Sequence, residues 1–217
     1  GMSASFFTTL SKRLCCILHC GSYVNHMFEY AALKGPNCGS VDTLARMAQR
    51  NRPDILYIST ISVLEGNETE DCQGVREYIE ERAGGYASSK FVAEQRLRRL
   101  SEYFGMVTIV RPGLIGYDTR SGSANRSDWF VRFLIGSMQM GGVVCEDQKG
   151  IEVVGNIHVT PVDHACTFIM EVLEKRSGLN LILREGGLAR GLVKKDNLIQ
   201  TLHLPLTMIT DTSDFLR

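Results

Sequence analysis

The residues of this sequence best suited to proton-transfer chemistry are a tyrosine and a lysine four positions apart, Tyr86 and Lys90. Two glycines precede the pair, and residues 91–100 are rich in strong helix formers. At this spacing the phenol and the ammonium lie on one helix face, one turn apart. Because a nearby cation favours the ionised form of a phenol, the pair predicts a tyrosine that gives or takes a proton. The alternative is a packed tyrosine with a lysine reaching into solvent.

Hydroxyl side chains follow a predicted strand that comes just before this helix. Continuous apolar runs alternate with helical segments, which indicates a parallel sheet whose ligands bind beyond the carboxyl ends of the strands. Thr60 lies at such an end, where its hydroxyl would hydrogen-bond to a substrate oxygen beside the phenol; Ser59 and Ser62 are the alternatives. The predicted buried strands span residues 14–19, 55–60, 106–110 and 179–183.

Composition excludes several classes of protein. The 217 residues include 24 basic and 24 acidic side chains, so no net field points to nucleic acid. Seven scattered cysteines, an odd number, indicate neither a disulfide framework nor a zinc site, and the five histidines show no metal-ligand spacing. The apolar run at 14–18 is too short for a signal peptide, and no run approaches a membrane span. We therefore expect a cytoplasmic protein without metal.

Taken in order, the motifs resemble the catalytic half of an extended short-chain dehydrogenase/reductase. The resemblance is specifically to the thioester reductase domains of nonribosomal peptide and polyketide synthetases, carboxylic acid reductases and aminoadipate reductases. It covers most of residues 14–175. The matching segments are 19–25, 30–37, 57–63, 85–90, 110–116 and 161–164.

The resemblance implies a role for each matched residue. Tyr86 would protonate the oxyanion as hydride arrives, Lys90 would lower the pKa of Tyr86 and hold the nicotinamide ribose, and Thr60 would orient the carbonyl. The substrate would be an acyl group carried on the phosphopantetheine arm of an acyl or peptidyl carrier protein, or a small carbonyl compound, and the product an aldehyde. The implied cofactor-binding residues are Gly21, Lys90, Pro112 and Gly113.

The sequence departs from the family pattern at its start. Family members open with a strand, a glycine-rich turn and a helix that receives the pyrophosphate, and nothing of this kind precedes Leu14. The glycines within residues 181–191 have the wrong spacing to replace that turn. We therefore expect NADP(H) to bind if a parent protein supplies the nucleotide-binding half, and no cofactor otherwise. The strand at 14–19 becomes a sheet edge, which predicts a homodimer, a hetero-partner or a cover from residues 3–13.

The expected fold class is α/β, a truncated Rossmann-like parallel sheet with helices on both faces and a small C-terminal substrate subdomain. We expect an N-terminal arm at 1–13, a catalytic core at 14–120 and a substrate-side region at 121–217, of which 161–183 returns to the core. The favoured function is thioester reduction in secondary metabolism. The alternatives are a cofactor-independent aldol or Dieckmann-type cyclase that uses Thr60, Tyr86 and Lys90, and a non-catalytic remnant that binds a carrier or a reductase.

Overall fold

The chain folds into two compact units, seen in a computed structural model. The first unit combines Gly1–Pro112 with Ile169–Leu183, and the second combines Gly113–Phe168 with Arg184–Arg217. The first boundary thus comes at residue 112, earlier in the chain than the expected 120. The sequence also predicts a polar loop at 65–81, and both this loop and the glycines of 184–191 lie outside the described residues. The structure describes residues 2–63, 84–140, 142–144, 157–175, 180–183, 192–193 and 207–209.

Along the first unit, helices separate the successive strands of the sheet, as the sequence predicts. The strands are β1 (Cys16–His19), β2 (Asp54–Ile58), β3 (Val107–Pro112), β4 (Leu114–Ile115), β5 (Gly142–Val144), β6 (Ile157–Thr160), β7 (Asn180–Leu183), β8 (Leu192–Val193) and β9 (Thr207–Ile209). The helices are α1 (Ala4–Ser11), α2 (Tyr30–Leu33), α3 (Gly39–Ala48), α4 (Gly85–Arg99), α5 (Trp129–Met140) and α6 (Val162–Lys175).

The first unit is built on a parallel sheet in the order β1-β2-β3-β7. Alternate residues of β2 and β3, such as Ile55, Tyr57 and Ile109, point into one core together with the apolar faces of α3 and α4. Ala93 and Leu97 of α4 are fully buried there, which accounts for the helical spacing of apolar residues in this segment. The expected Rossmann-like α/β class is confirmed.

Strand β1 is more exposed than its apolar sequence predicts. Within the described residues it pairs only with β2, in register from Cys16 opposite Asp54 to His19 opposite Tyr57. Cys16 is exposed, and Leu18 is 45% exposed. The prediction of a strand covered on both faces is therefore wrong in the described structure, whereas the prediction of an edge agrees with the strand order.

The second unit contains short strand pairs and one well-defined turn. Strand β6 pairs with β4 in parallel and with β8 in antiparallel orientation, and Phe130 of α5 packs against Val159. The Asp118 carboxylate accepts hydrogen bonds from Arg120 and Ser121, which closes the turn after β4. In the described parts of both units, no helix is long and apolar enough to cross a membrane, and no cluster of three or more His, Cys, Asp or Glu side chains could hold a metal ion.

Candidate active site

Tyr86 lies in the first turn of α4, and a glycine places it there. The chain enters the helix through Gly84 in an extended conformation. A Cβ atom on Gly85 would lie 2.3 Å from the carbonyl oxygen of Phe28, so only glycine lets the loop before α2 pass so close to the helix start. That loop brings the His26 ring against the Tyr86 ring, with centroids 5.3 Å apart and an interplanar angle of 68°. The edge-on contact defines one side of the phenol.

The pKa of Tyr86 moves in the direction opposite to the one that the family resemblance implies. Burial raises the pKa of the Tyr86 phenol above its ordinary value of 10.0, because the ionised form loses solvation. In the described part of the chain, no hydrogen bond joins this hydroxyl to Thr60 or to Lys90. Without a ligand, the phenol therefore keeps its proton throughout the neutral range and is set up as a proton donor.

Lys90 is fully buried, although it is a lysine on a helix. Its Nζ donates one hydrogen bond to the Ser22 hydroxyl at 2.8 Å and another to the Ile58 carbonyl at 2.7 Å. The same nitrogen lies 4.2 Å from the centroid of the Tyr57 ring, a cation–π distance. Burial lowers the pKa of Lys90 to about 8, while the Glu94 carboxylate opposes that shift. The ammonium is thus held at the carboxyl ends of β1 and β2 rather than in solvent.

Thr60 follows the end of β2 and is buried. Its Oγ1 donates to the Ser62 hydroxyl at 3.3 Å and accepts from the Ser62 backbone N–H at 3.3 Å. The hydroxyl thus bonds within its own turn, whose backbone is one turn of 3₁₀ helix, Ile61–Val63. The structure brings Lys90 to this strand end through Ile58, two positions before Thr60, without a direct bond between Thr60 and Tyr86.

Asn37 ties the helix start to the loop after β1, a role that the sequence did not reveal. It lies in a π-helical turn, Lys34–Cys38, and is 1% exposed. Its side chain accepts from the Tyr23 N–H at 2.8 Å and donates to the Tyr23 carbonyl at 3.2 Å and to the Ser89 hydroxyl at 2.9 Å. Ser89 in turn donates to the Tyr86 carbonyl at 2.7 Å. An asparagine directly after Gly-Pro in a helical stretch was the available signal.

The remaining predicted cofactor residues lie at strand ends. Gly21 is exposed beyond β1, and a Cβ there would meet only the His19 Nε2 atom, at an ordinary 3.9 Å. The fold itself therefore does not require glycine at this position, which leaves room for a ligand to approach the backbone. Pro112 is the buried last residue of β3, and Gly113 follows it.

A buried ion pair fixes α4 against β3 below these groups. The Arg111 guanidinium donates to both carboxylate oxygens of Glu94, at 2.9 and 2.7 Å, and the two side chains are 2% and 1% exposed. Such a two-pronged contact sets the distance between helix and strand. Because Glu94 lies one helical turn beyond Lys90, the pair also sets the height of the ammonium above the sheet.

Comparisons with known proteins agree with this architecture. Residues 1–169 match the model of the NAD-binding family described as Male sterility protein. L-2-aminoadipate reductase of Saccharomyces cerevisiae is 28% identical over 189 residues, which cover 78% of this chain and 13% of that protein. Carboxylic acid reductase of Segniliparus rugosus is 29% identical over 153 residues, covering 65% of this chain and 13% of the relative.

Among solved structures, the terminal R domain from the myxalamid PKS-NRPS biosynthetic pathway superposes with a TM-score of 0.77 at 27% identity, covering 96% of this chain and 53% of that domain. The chain thus spans about half the length of that domain and a smaller part of the two reductases. The family model, the relatives and the superposition all concern the part of the chain that holds Tyr86 and Lys90. This chain therefore belongs to the NAD-binding family described as Male sterility protein, with aminoadipate reductases, carboxylic acid reductases and nonribosomal peptide synthetase reductase domains as its homologues.

Proposed function

We propose that this chain carries the catalytic residues of an NADPH-dependent reductase that converts a carrier-bound acyl thioester into an aldehyde. The observation that carries the proposal is the buried Lys90 ammonium, held at the ligand-binding ends of β1 and β2 one helical turn from the Tyr86 phenol. Burying an ammonium costs several kcal/mol by order of magnitude, and perturbed titratable groups cluster at functional sites, which favours a catalytic chain over a non-catalytic remnant. The reductase relatives support the same reaction class.

The residues present fit the nicotinamide end of such a cofactor. Among the described contacts, two of the three N–H donors of Lys90 are used, so one is left for a ribose hydroxyl. Gly21 offers an open backbone beyond β1, and Pro112 ends β3 at the same end of the strands, with Gly113 next in the chain. When bound, NADPH supplies the hydride.

Tyr86 supplies the proton. Since burial raises its pKa, the phenol is protonated at neutral pH and donates to the oxygen of the thioester carbonyl, while the carbonyl carbon gains hydride. The C–S bond then breaks, the oxygen returns its proton, the leaving sulfur takes up one, and aldehyde and thiol are released. Lys90 would stabilise the phenolate that remains, and Thr60 would orient the carbonyl. For a cyclase, the raised pKa of Tyr86 disfavours this residue as the base.

The test follows NADPH consumption and aldehyde formation with an acyl-phosphopantetheine thioester. Tyr86→Phe should lower kcat by roughly 10²- to 10⁴-fold, the usual contribution of a general acid. Tyr103→Phe, in the turn after α4, is the matched control and should leave the rate unchanged. Equal rates for wild type and Tyr86→Phe would refute the proposed role. Product formed without nucleotide, yet dependent on Tyr86, would favour the cyclase.

A carrier protein and a second protein segment are the proposed partners. The carrier would present the thioester on its phosphopantetheine arm. Separately, within the described residues β1 pairs only with β2 and Leu18 is 45% exposed, which supports pairing of this strand with a second copy or another chain, because strand edges recruit strands. Light scattering should show a dimer or larger species, and Leu18→Lys should shift it toward monomer. A monomeric wild type would contradict self-pairing at this edge.

A further inference from the structure

Among the described residues, Ser22 is the one whose hydroxyl accepts a hydrogen bond from the Lys90 ammonium, and the direction of that bond leaves the Ser22 proton available. An ammonium can only donate, so Ser22 Oγ is the acceptor in the 2.8 Å bond from Lys90 Nζ. A serine hydroxyl also has one O–H to donate. In the described part of the chain, no acceptor takes it. The half-buried hydroxyl is therefore a donor polarised by the charge behind it.

Ser22 lies at the edge of the sheet where ligands of parallel sheets bind. His19 of β1 lies opposite Tyr57 of β2 in the parallel register. Ser22 comes three residues after His19, and Thr60 three residues after Tyr57, so both hydroxyls lie beyond the carboxyl ends of adjacent strands. Lys90 bridges these two ends through Ser22 and Ile58. This is the edge of a parallel sheet at which ligands bind.

Ser22 differs in this respect from Thr60. The Thr60 hydroxyl already donates to Ser62 and accepts from the Ser62 N–H, so it must rotate before it can donate to a ligand. Ser22 needs no such rearrangement, because Lys90 uses one of its two acceptor lone pairs and, among the described contacts, its O–H has no acceptor. The two hydroxyls are thus suited to different oxygens of a ligand. Ser22 is suited to the ligand oxygen that lies nearest the Lys90 ammonium.

We propose that Ser22 is a cofactor-binding residue that donates a hydrogen bond to a hydroxyl oxygen of the nicotinamide ribose, next to the ribose contact of Lys90. The inference rests on the proposed NADPH-dependent function and adds to it a residue outside the Thr60, Tyr86 and Lys90 set. Lys90 and Ser22 would both bind the nicotinamide ribose, Lys90 through its charge and Ser22 through its O–H. Ser22 binds and does not take part in proton transfer.

Binding rather than turnover provides the test. Titration of NADPH fluorescence should show a Kd that is roughly 3- to 10-fold weaker for Ser22→Ala than for wild type, the range for one neutral hydrogen bond. Ser101→Ala, in the turn beyond the far end of α4, is the matched control and should bind as wild type does. The same titrations are repeated with NADPH analogues that lack one nicotinamide-ribose hydroxyl, so that the loss from the protein change and the loss from the ligand change can be compared. One of these analogues should lose affinity for wild type but not for Ser22→Ala.

Each outcome decides between the two proposals. Equal Kd values for wild type and Ser22→Ala overturn the Ser22 assignment and leave the proposed function intact. The same holds if only kcat falls in Ser22→Ala, because Ser22 would then act on the reacting carbonyl rather than on the ribose. Wild type that binds every deoxy analogue as tightly as NADPH overturns the assignment even if Ser22→Ala fails to fold. Wild type that does not bind NADPH overturns this inference for this chain, and the thioester assay with Tyr86→Phe then decides the proposed function by itself.

Discussion

Replacing Lys90 with methionine should change how the stability of this protein depends on pH. The Lys90 side chain is fully buried, and burial lowers its pKa from the ordinary 10.5 to about 8. Between these two values the unfolded chain binds more protons than the folded one, so the stability of the wild type rises as pH increases through this window. Below about pH 8 the full cost of the buried charge is present. Above about pH 10.5 it is gone.

The magnitude follows from the pKa difference. A gap from 10.5 to about 8 corresponds to about 3 kcal/mol in total, of which about 2.5 kcal/mol is recovered between pH 7 and pH 10. The methionine variant has no titrating group at position 90. The unfolding free energy of wild type minus that of Lys90→Met should therefore rise by about 2 to 3 kcal/mol over this pH range.

Urea unfolding followed by circular dichroism at 222 nm, under reducing conditions, measures this difference at several pH values. Lys12→Met is the matched control, because Lys12 is exposed, and its difference from wild type should stay flat. A wild-type minus Lys90→Met difference that changes by less than about 0.5 kcal/mol from pH 7 to pH 10 would refute the reasoning. The ammonium would then be solvated in the folded protein, which contradicts its buried hydrogen bonds to Ser22 and Ile58.

Two further variants test the supports of the site. Glu94→Gln leaves the Arg111 guanidinium buried without its carboxylate and should lower the unfolding free energy by about 3 to 5 kcal/mol. Asp42→Asn is the control, because it breaks an exposed ion pair and should lower the unfolding free energy by less than about 1 kcal/mol. Similar losses in urea unfolding would contradict this. Gly85→Ala should lower the unfolding free energy by about 1 to 3 kcal/mol, because the added Cβ forces the loop before α2 away. Gly84→Ala is the control, since a Cβ there would meet nothing within 4 Å, and it should not lose this stability. Equal melting temperatures for the two variants would exclude the close approach at Gly85.

Much of the fold could be predicted from local sequence patterns. Apolar runs and helix formers located the first three strands of the sheet, and the helix signals placed Tyr86 in the first turn of α4. These features could be predicted because they depend on the spacing of apolar side chains along the chain, which is visible in residues that are neighbours in the sequence. The exposure of β1 did not follow from its composition, because burial depends on which strands and helices lie beside it.

The sequence by itself determined the order of elements, the family and the Tyr86 and Lys90 pair on one helix. Only the tertiary structure decided what these side chains meet. Ser22 and Lys90 lie 68 positions apart, and Asn37 and Ser89 lie 52 apart, so no local pattern reports their contacts. The direction of the Tyr86 pKa depends in the same way on burial by distant segments, because desolvation is a property of the packed environment and not of residue type.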